Sequence, residues 1–302
     1  MKNNVCILMS TYNGGQYLKE QIESILNQDI STIQILVRDD GSNDETAEIL
    51  KLYQSLGSIR ILNSEGNLGP AVSFLELLYY SPEADYYAFA DQDDIWKPEK
   101  ISRAVNLIGD KDFPALYASN QQILQDGTEK GYRFVQEPNI TLTGIICANH
   151  LSGCTMVFNK KLRDILVNKQ NRPDKQVLRL RMHDTWVAAV AACCGEIIYD
   201  PESYIFYRIH DSNTVGVNSG ALKKRVSKTI KKIMNPNQRN GRSRFASELL
   251  KISDMNDNSK EIVLRFARSE TNRIAILRNK DIKKDCPESR PVFVIKALLG
   301  WH

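Results

Sequence analysis

The sequence predicts an α/β domain with a mostly parallel central sheet, followed by a basic, helical C-terminal extension. Short apolar runs alternate with helix-forming segments in the first third of the chain, which is the pattern of buried parallel strands connected by helices. Polar and acidic residues follow these runs, and open α/β sheets bind ligands beyond the carboxyl ends of their strands. Near residue 220 the net charge changes from negative to positive.

The first strand is predicted at residues 5–9, and it leads into the polar segment Ser10-Thr11-Tyr12-Asn13-Gly14-Gly15. A helix follows, because apolar residues recur at helical spacing on one face. These residues are Leu18, Ile22, Ile25 and Leu26.

The second strand is predicted at residues 33–37, before Arg38-Asp39-Asp40-Gly41-Ser42. Ser42 and Glu45 form a capping box, which predicts a helix that starts at Ser42. That helix carries Ala47, Ile49, Leu50 and Tyr53. A third helix is predicted from Pro70 to about residue 80, since proline suits the first helical position.

The most informative segment is Asp91-Gln92-Asp93-Asp94-Ile95, which directly follows the apolar run at residues 86–90. Carboxylates this close repel one another unless a positive charge lies between them. Mg²⁺ and Mn²⁺ prefer oxygen ligands and also bridge to phosphate. The segment therefore predicts a divalent-cation site at the end of a strand.

Composition indicates a soluble, cytoplasmic enzyme. The 302 residues are 25% charged and 42% hydrophobic, which is ordinary for a globular protein. The six cysteines show no Cys-x-x-Cys spacing, so we expect reduced thiols in the core. We find no signal peptide and no apolar run near the roughly 20 residues that span a bilayer. The lack of a Gly-x-Gly-x-x-Gly or Walker sequence argues against dehydrogenases and P-loop NTPases.

The charge distribution predicts two regions, a catalytic domain at 1–220 and a helical, basic region at 221–302. The net charge is +12 for the second region, whereas the whole chain has +4. Apolar residues at helical spacing and surrounding cations predict a basic amphipathic helix. The apolar residues are Leu222, Val226, Ile230 and Ile233, and the cations are Lys223, Lys224, Arg225, Lys228, Lys231 and Lys232. Further helices are predicted around 245–252 and 259–277.

Two roles for this basic region stay open: packing on the catalytic domain, with homodimer formation, or docking on an anionic membrane. Nucleic acid is not an expected partner, because the acidic catalytic half would repel phosphates and no nucleic-acid-binding motif is present.

A series of motifs resembles the family-2 inverting glycosyltransferases of the GT-A fold. In chain order the motifs are Ser10-Thr11-Tyr12-Asn13, Asp39-Asp40-Gly41-Ser42, Asn67-x-Gly69, Asp91-Gln92-Asp93-Asp94-Ile95-Trp96, Ser152-Gly153-Cys154-Thr155-Met156, His183-Asp184-Thr185-Trp186 and Tyr207-Arg208-x-His210-x-x-Asn213-Thr214-Val215-Gly216. The resemblance covers about residues 3 to 220. The Asp-Gln-Asp-Asp-Ile-Trp and His-Asp-x-Trp forms look most like bacterial rhamnosyltransferases of surface-polysaccharide assembly.

The resemblance implies a donor site. Asp93 would bind Mn²⁺ or Mg²⁺, with Asp91 toward the ribose or a metal-bound water, and His210 could complete the metal site. Asp40 would accept a hydrogen bond from a pyrimidine ring N–H, and Tyr12 could cover the base. The expected nucleotide and donor contacts are Thr11, Tyr12, Asn13, Asp40, Asn67, Gly69, Asp91 and Gln92.

The resemblance implies that Asp184 is the general base. Asp184 precedes an apolar run and so lies near a helix N-terminus, which favours the ionised form that a base needs. An ordinary helix-capping role is the alternative. The remaining candidates for the donor and acceptor pocket are Asp94, Trp96, Gly153, His183 and Trp186. For the two tryptophans core packing is equally consistent with the sequence, and Asp94 has no assigned role.

The expected function is transfer of L-rhamnose from dTDP-β-L-rhamnose to a lipid-linked saccharide, at the inner face of the cell membrane. A transferase that uses UDP-hexose or UDP-N-acetylhexosamine is the alternative. A nucleotidyltransferase is disfavoured because residues 11–16 contain no Lys or Arg, and a non-catalytic subunit would not need Asp184.

Overall fold

The computed structural model describes residues 3–30, 32–63, 66–210, 240–270, 273–278, 280–286, 288 and 290–299. The strands are β1 (Val5–Thr11), β2 (Ile33–Asp39), β3 (Arg60–Ile61), β4 (Tyr86–Ala90), β5 (Ile95–Trp96), β6 (Ala115–Gln125), β7 (Thr128–Tyr132), β8 (Val157–Asn159) and β9 (Glu196–Ile209). The helices of this part are α1 (Gly15–Leu26), α2 (Thr46–Ser55), α3 (Pro70–Tyr79), α4 (Lys100–Ile108), α5 (Leu142–Ala148), α6 (Lys160–Val167), α7 (Lys175–Arg181) and α8 (His183–Cys194).

The strands form one curled sheet in the order β3-β2-β1-β4-β8-β6-β9-β5, with β7 paired to β6. The longest ladders, β1 with β2 and β6 with β9, are parallel. The short strand β8 is antiparallel to both β4 and β6, and it joins the two parallel parts. The α/β fold with a mostly parallel sheet is therefore confirmed, and the carboxyl ends of β1, β2 and β4 lie at one edge.

Two apolar clusters cover the two faces of the sheet. One cluster contains β-strand residues with α1 and α4, including the fully buried Ile22 and Ile101. The other contains α3 and α8 and continues into the C-terminal helices through Phe245, Phe266 and Phe293.

The C-terminal helices are α9 (Gly241–Leu249), α10 (Asp257–Ala267), α11 (Arg273–Arg278), α12 (Lys280–Asp285) and α13 (Arg290–Leu299). They share the core of the sheet domain, and Arg242 donates to the carbonyl oxygen of Cys147 at the end of α5 at 2.7 Å. The predicted helix at 259–277 is in fact two helices separated by a 3₁₀ turn at Arg268–Glu270. The predicted basic helix at 222–233 lies outside the described residues, and the boundary at 220 stays a prediction.

The predicted start of α2 at Ser42 is wrong. Both the backbone N–H and the hydroxyl of Ser42 donate to the carboxylate of Asp39, at 2.9 and 2.5 Å. This turn ties Ser42 to the strand end, so the helix starts at Thr46, whose N–H donates to Asp44 at 3.0 Å. Leu26 also differs from prediction, because it lies at the end of α1 with 43% of its surface exposed.

All six cysteines are free thiols, and four of them are buried. In the described part of the chain, no helix has the length and apolar character needed to cross a bilayer.

Candidate active site

A cleft of about 630 Å³ opens at the carboxyl ends of β1, β2 and β4. One side is lined by the loops that follow β1, β2 and β3, and the other side by the segment 149–154 and the start of α8. Asp91, Gln92 and Asp93 follow the central strand β4 and line the cleft between these two sides. Predicted site residues from distant parts of the sequence therefore meet in one cavity.

On the first side, Gln92 fixes the loop that follows β1. Its Oε1 accepts from the backbone N–H of Tyr12 at 2.7 Å, and its Nε2 donates to the carbonyl oxygen of Tyr12 at 3.0 Å. The Tyr12 side chain is left 50% exposed at the cleft. Thr11 is buried and donates to Asp39 at 2.9 Å, while Asn13 lines the cleft with its backbone in the left-handed region at φ 49°.

Asp40 is buried in a hydrogen-bonded turn at the same side. It pairs with the buried guanidinium of Arg38 and accepts the backbone N–H groups of Leu68 and Gly69, at 2.7 and 2.8 Å. Gly69 has φ 78°, a conformation that favours glycine, and Pro70 then begins α3 as predicted. These contacts position the Asn67–Gly69 wall of the cleft; the contact of Asp40 with a pyrimidine stays a prediction.

The carboxylates after β4 form the most acidic part of the cleft. Burial, followed by the nearby charges of Asp93 and Asp184, raises the pKa of Asp91 to about 7. Asp93 Oδ2 lies 2.8 Å from Nε2 of His210, so the structure brings together the Asp93–His210 pair that the sequence proposes as ligands. Arg208 donates to the carbonyl oxygen of Asp93 at 2.9 Å and helps to hold this strand end.

Asp94 does not line the cleft, which corrects its predicted place in the substrate pocket. Its side chain is fully buried beneath Asp91 and accepts the backbone N–H of Arg208 at 3.3 Å. Ligating atoms of Asp91, Asp94 and Cys154 lie within 4.8 Å of one another. Burial first, then the charge of Asp94, raises the pKa of the Cys154 thiol, so this sulfur stays protonated and is a poor ligand for a hard cation.

These residues fit a divalent cation. Burial first, and then the charge of Asp93, raises the pKa of both Asp91 and Asp94. A cation between Asp91, Asp93 and His210 would relieve this repulsion, because an adjacent positive charge favours the ionised carboxylate.

Asp184 lies in the first turn of α8 and faces the cleft, as expected for a base near a helix N-terminus. Its Oδ1 accepts from the backbone N–H and the hydroxyl of Thr185, at 2.5 and 3.2 Å. Burial raises the pKa of Asp184 to about 6, and the hydrogen bonds from Thr185 act in the opposite direction. The group can therefore exchange a proton near neutral pH.

His183 is part of the wall that carries Asp184 rather than a free substrate contact. Its ring stacks on Phe74 at 4.1 Å and meets the edge of Phe89 at 5.0 Å. Burial lowers the pKa of His183 to about 3, so the ring is neutral. Gly153 lies against it: a Cβ at that position would be 2.5 Å from His183 Nε2.

Neither Trp96 nor Trp186 can stack on a sugar, which corrects their predicted place in the pocket. Trp96 is 3% exposed and its ring lies 3.6 Å below the ammonium of the buried Lys100. Trp186 is 1% exposed and packs edge-on against Phe245 at 5.7 Å. Both rings belong to the core: Trp186 packs in the apolar cluster that contains α3 and α8, and Trp96 packs in the cluster that contains α1 and α4.

Sequence reasoning missed four polar side chains that line the cleft: Arg133, Asn149, His150 and Arg181. Arg133 follows β7, and the pairing of β7 with β6 brings it to the cleft. Arg181 ends α7 and donates to the carbonyl oxygen of Ile146 at 2.5 Å. No local pattern marks these residues, because strand pairing and helix packing place them.

Residues 6–166 match the family described as glycosyl transferase family 2. Among curated proteins, the chain is 29% identical over 231 residues to the dTDP-rhamnosyl transferase RfbG of Shigella flexneri, covering 70% of this chain and 74% of that protein. It is 27% identical over 155 residues to the putative teichuronic acid biosynthesis glycosyltransferase TuaG of Bacillus subtilis, covering 51% and 61% of the two chains.

Solved structures share the fold. The structure of S. aureus TarS (residues 1–349) in complex with UDP has a TM-score of 0.60 at 16% identity and covers 99% of this chain and 88% of its own. The mannosyltransferase PcManGT of Pyrobaculum calidifontis, in complex with GDP-Man and Mn²⁺, has a TM-score of 0.54 at 13% identity, with coverage of 100% and 87%. With its family match over more than half of the sequence, its sheet and its acidic cleft, this chain belongs to glycosyl transferase family 2 and has the GT-A fold.

Proposed function

We propose that the protein is a metal-dependent, inverting rhamnosyltransferase. Its donor is dTDP-β-L-rhamnose and its acceptor is a lipid-linked saccharide in the synthesis of a cell-surface polysaccharide. Similarity to RfbG over 70% of the chain supports the choice of donor. The observation that carries the proposed chemistry is that Asp184 shares one cleft with the carboxylates of Asp91 and Asp93.

The reaction is a single displacement at the anomeric carbon. The acceptor hydroxyl oxygen bonds to this carbon while the bond to the diphosphate oxygen breaks, and the diphosphate departs with the electron pair. Asp184 takes the hydroxyl proton, a role that its pKa of about 6 allows near neutral pH. Attack opposite the leaving group inverts the anomeric centre, so a β-linked donor gives an α-L-rhamnoside.

The diphosphate belongs beside the strand end of β4. Asp91, Asp93 and His210 would hold Mn²⁺ or Mg²⁺ there, and the bound cation would neutralise the charge of the leaving group. On the nucleotide side, Thr11, Tyr12, Asn13, Asn67 and Gly69 would surround the nucleoside. The pair of hydrogen bonds between Gln92 and Tyr12 would hold this wall in place before the donor binds.

A transferase that uses a UDP-sugar is the second candidate. The same cleft would accept it, because Asp40 can meet the ring N–H of either uracil or thymine. This alternative is favoured by the fold shared with TarS, which has been solved in complex with UDP-GlcNAc at a TM-score of 0.55.

The location and assembly that we propose follow from charge. We place the protein in the cytoplasm, on the inner face of the membrane, where the cations of residues 223–232 would meet anionic lipids. A homodimer through the C-terminal region is an alternative use of the same residues.

The test is incubation of the purified protein with a panel of nucleotide sugars and Mn²⁺, with measurement of nucleoside diphosphate release. We expect dTDP-β-L-rhamnose to be used fastest, and the one-bond carbon–proton coupling at C1 of the product to report an α-linkage. If UDP-glucose, UDP-galactose or UDP-N-acetylglucosamine were used faster, that UDP-sugar would be the donor and the proposal of dTDP-β-L-rhamnose would be wrong. Release of no nucleoside diphosphate from any donor would contradict transferase activity itself.

A further inference from the structure

Arg133 presents a guanidinium to the cleft, and it forms no ion pair with any carboxylate in the part of the chain that the structure describes. It follows β7, and its Nη1 donates to Oε1 of Gln121 at 2.5 Å and to the hydroxyl of Ser152. Both partners are neutral, and no described carboxylate lies within 4 Å of the guanidinium. A second arginine that lines the cleft, Arg181, is also held by neutral groups, because its guanidinium donates to the carbonyl oxygens of Ile145 and Ile146 at the end of α5.

The neutral partners orient Arg133. Gln121 is 1% exposed, and it also accepts the hydroxyl of Ser152 at 3.2 Å. The Arg133 backbone N–H donates to the carbonyl oxygen of Gln121 at 2.9 Å, and its guanidinium carbon lies 5.1 Å from the ring centre of Phe134. A guanidinium held in this way loses little further side-chain freedom when it binds a ligand.

The order of strands separates Arg133 from the nucleotide loops. Those loops follow β1 and β2, the carboxylates of Asp91 and Asp93 follow β4, and β7 is attached to β6, beyond β8. On its own side Arg133 is joined through Ser152 and Gly153 to His183, which precedes Asp184. The guanidinium is therefore nearer to the candidate base than to the nucleotide side.

We propose that Arg133 binds a negatively charged group of the acceptor, a sugar carboxylate or a phosphate, and so selects anionic acceptors. The inference rests on the proposed function, because it requires that Asp184 marks the acceptor side. The carboxylates of Asp91, Asp93 and Asp184 line the same cleft, so an anionic acceptor would be repelled without a cation beside it. A guanidinium recognises carboxylate and phosphate oxygens with two parallel hydrogen bonds, which also fixes the orientation of the acceptor.

The first experiment compares acceptors that differ in one anionic group. The two pairs are octyl glucuronide with octyl glucoside, and octyl-diphosphate-linked N-acetylglucosamine with octyl N-acetylglucosaminide. We expect the native protein to have the higher kcat/KM with the anionic member of at least one pair. The pair that shows this preference identifies the recognised group as a carboxylate or a phosphate. In Arg133→Gln the ratio of kcat/KM for the anionic acceptor to kcat/KM for the neutral acceptor should fall by roughly tenfold or more. Most of this change should come from a higher KM for the anionic acceptor.

Two variants control for other effects. Arg179→Gln removes the same charge from an exposed position of α7 that does not line the cleft, and it should keep the native preference. Arg133→Lys keeps the charge but loses the paired hydrogen bonds, so it should give an intermediate preference. If Arg133 acted only on the pKa of Asp184, its loss would lower transfer to the anionic and the neutral acceptor equally and would shift the pH profile of transfer. That result, or a native protein that uses the neutral members equally well, would overturn the proposal.

The second experiment does not depend on turnover. The Nε–Hε resonance of Arg133, assigned by its loss in Arg133→Gln, is followed by NMR as methyl phosphate, acetate or methyl glucoside is added at millimolar concentration to metal-free protein. We expect a shift with at least one anion and none with the neutral glucoside. A resonance that neither anion moves contradicts the inference. If anions shift it but no nucleotide sugar is turned over, the proposed function fails while the anion site stands.

Discussion

Asp184 experiences two opposing effects on its ionisation. Burial disfavours the carboxylate and raises the pKa to about 6, whereas the hydrogen bonds from Thr185 favour the carboxylate. The N-terminus of α8 adds a positive potential in the same direction as those hydrogen bonds. A carboxylate in this balance is ionised at neutral pH and still basic enough to take a proton.

Replacing Asp184 with Asn should remove the base while keeping the size of the side chain and its ability to accept from Thr185. We expect transfer to fall by about 10²- to 10⁴-fold, which is the usual contribution of a general base. Steady-state transfer rates and a thermal unfolding curve measure the effect. Asp112→Asn, at a side chain with 94% exposure, is the matched control and should be neutral. A rate within about threefold of native would leave Asp184 a structural residue.

The pH dependence of transfer should report the same group. The base must be ionised, and its ionised fraction falls as the pH drops through about 6, so kcat/KM should decline below that pH. The profile is measured with nucleoside diphosphate release at several pH values, and Asp184→Asn should lack this acid limb. A native profile that stays flat through pH 6 would argue that Asp184 does not titrate in the reaction.

At the scale of elements, the start of α8 is held by packing against the short 3₁₀ turn Gly153–Thr155. His183 fills the space between this turn and Phe74, with ring centres of the histidine and the phenylalanine 4.1 Å apart. A side chain at position 153 has no room, because His183 is 5% exposed and is held on two sides by aromatic rings. The glycine therefore lets the turn and the helix approach each other.

Gly153→Ala should consequently displace His183 and the adjacent base. We expect the free energy of unfolding to fall by about 1–3 kcal/mol, as is typical of overpacking, together with a loss of transfer activity. Denaturant unfolding and transfer rates measure both effects. Gly241→Ala is the matched control, since a Cβ there meets nothing within 4 Å and alanine favours the helix. Equal stability of the two variants would contradict the packing argument.

At the scale of the whole molecule, the chain concentrates opposite charges in different regions. Three aspartates lie together after β4, while the residues from 221 onward carry a net charge of +12. We therefore expect the two regions to attract different partners, a cation with a nucleotide sugar at the cleft and an anionic surface at the basic region.

The acidic cleft predicts a requirement for metal. EDTA should abolish transfer and Mn²⁺ or Mg²⁺ should restore it, because the carboxylates and the diphosphate repel each other without a cation. Asp93→Asn should remain folded and lose activity, since Asp93 is a proposed metal ligand and its Oδ2 lies 2.8 Å from Nε2 of His210, another proposed ligand. Asp164→Asn, on the exposed surface of α6, serves as control. Full turnover of the native protein in chelator would refute the requirement.

The basic region predicts electrostatic binding to membranes. Replacing the six cations at 223–232 with Gln should weaken binding to anionic vesicles, and higher salt should have the same effect through screening. Sedimentation with anionic and neutral vesicles measures both. Equal binding to the two vesicle types would favour a packing or dimerisation role.

Local patterns in the sequence determined the main elements and the position of several site residues. The apolar runs located β1, β2 and β4, and Pro70 marked the start of α3. Asp91 and Asp93 follow a strand and Asp184 begins a helix, so their neighbours in the sequence are sufficient to bring them to the active-site edge. The start of α2 was misplaced because Asp39 competes for the hydrogen bonds of Ser42.

Contacts between distant residues were decided only by the tertiary structure. Trp96 and Trp186 belong to the site motifs in the sequence, yet both rings enter the core. Which face of the sheet a ring packs against depends on the helices that cover that face, and the motif does not specify them. Asp94 lies beneath the cleft for the same reason. Arg133 reaches the cleft through the pairing of β7 with β6, an arrangement that strand sequences do not specify because any two strands offer the same backbone hydrogen bonds.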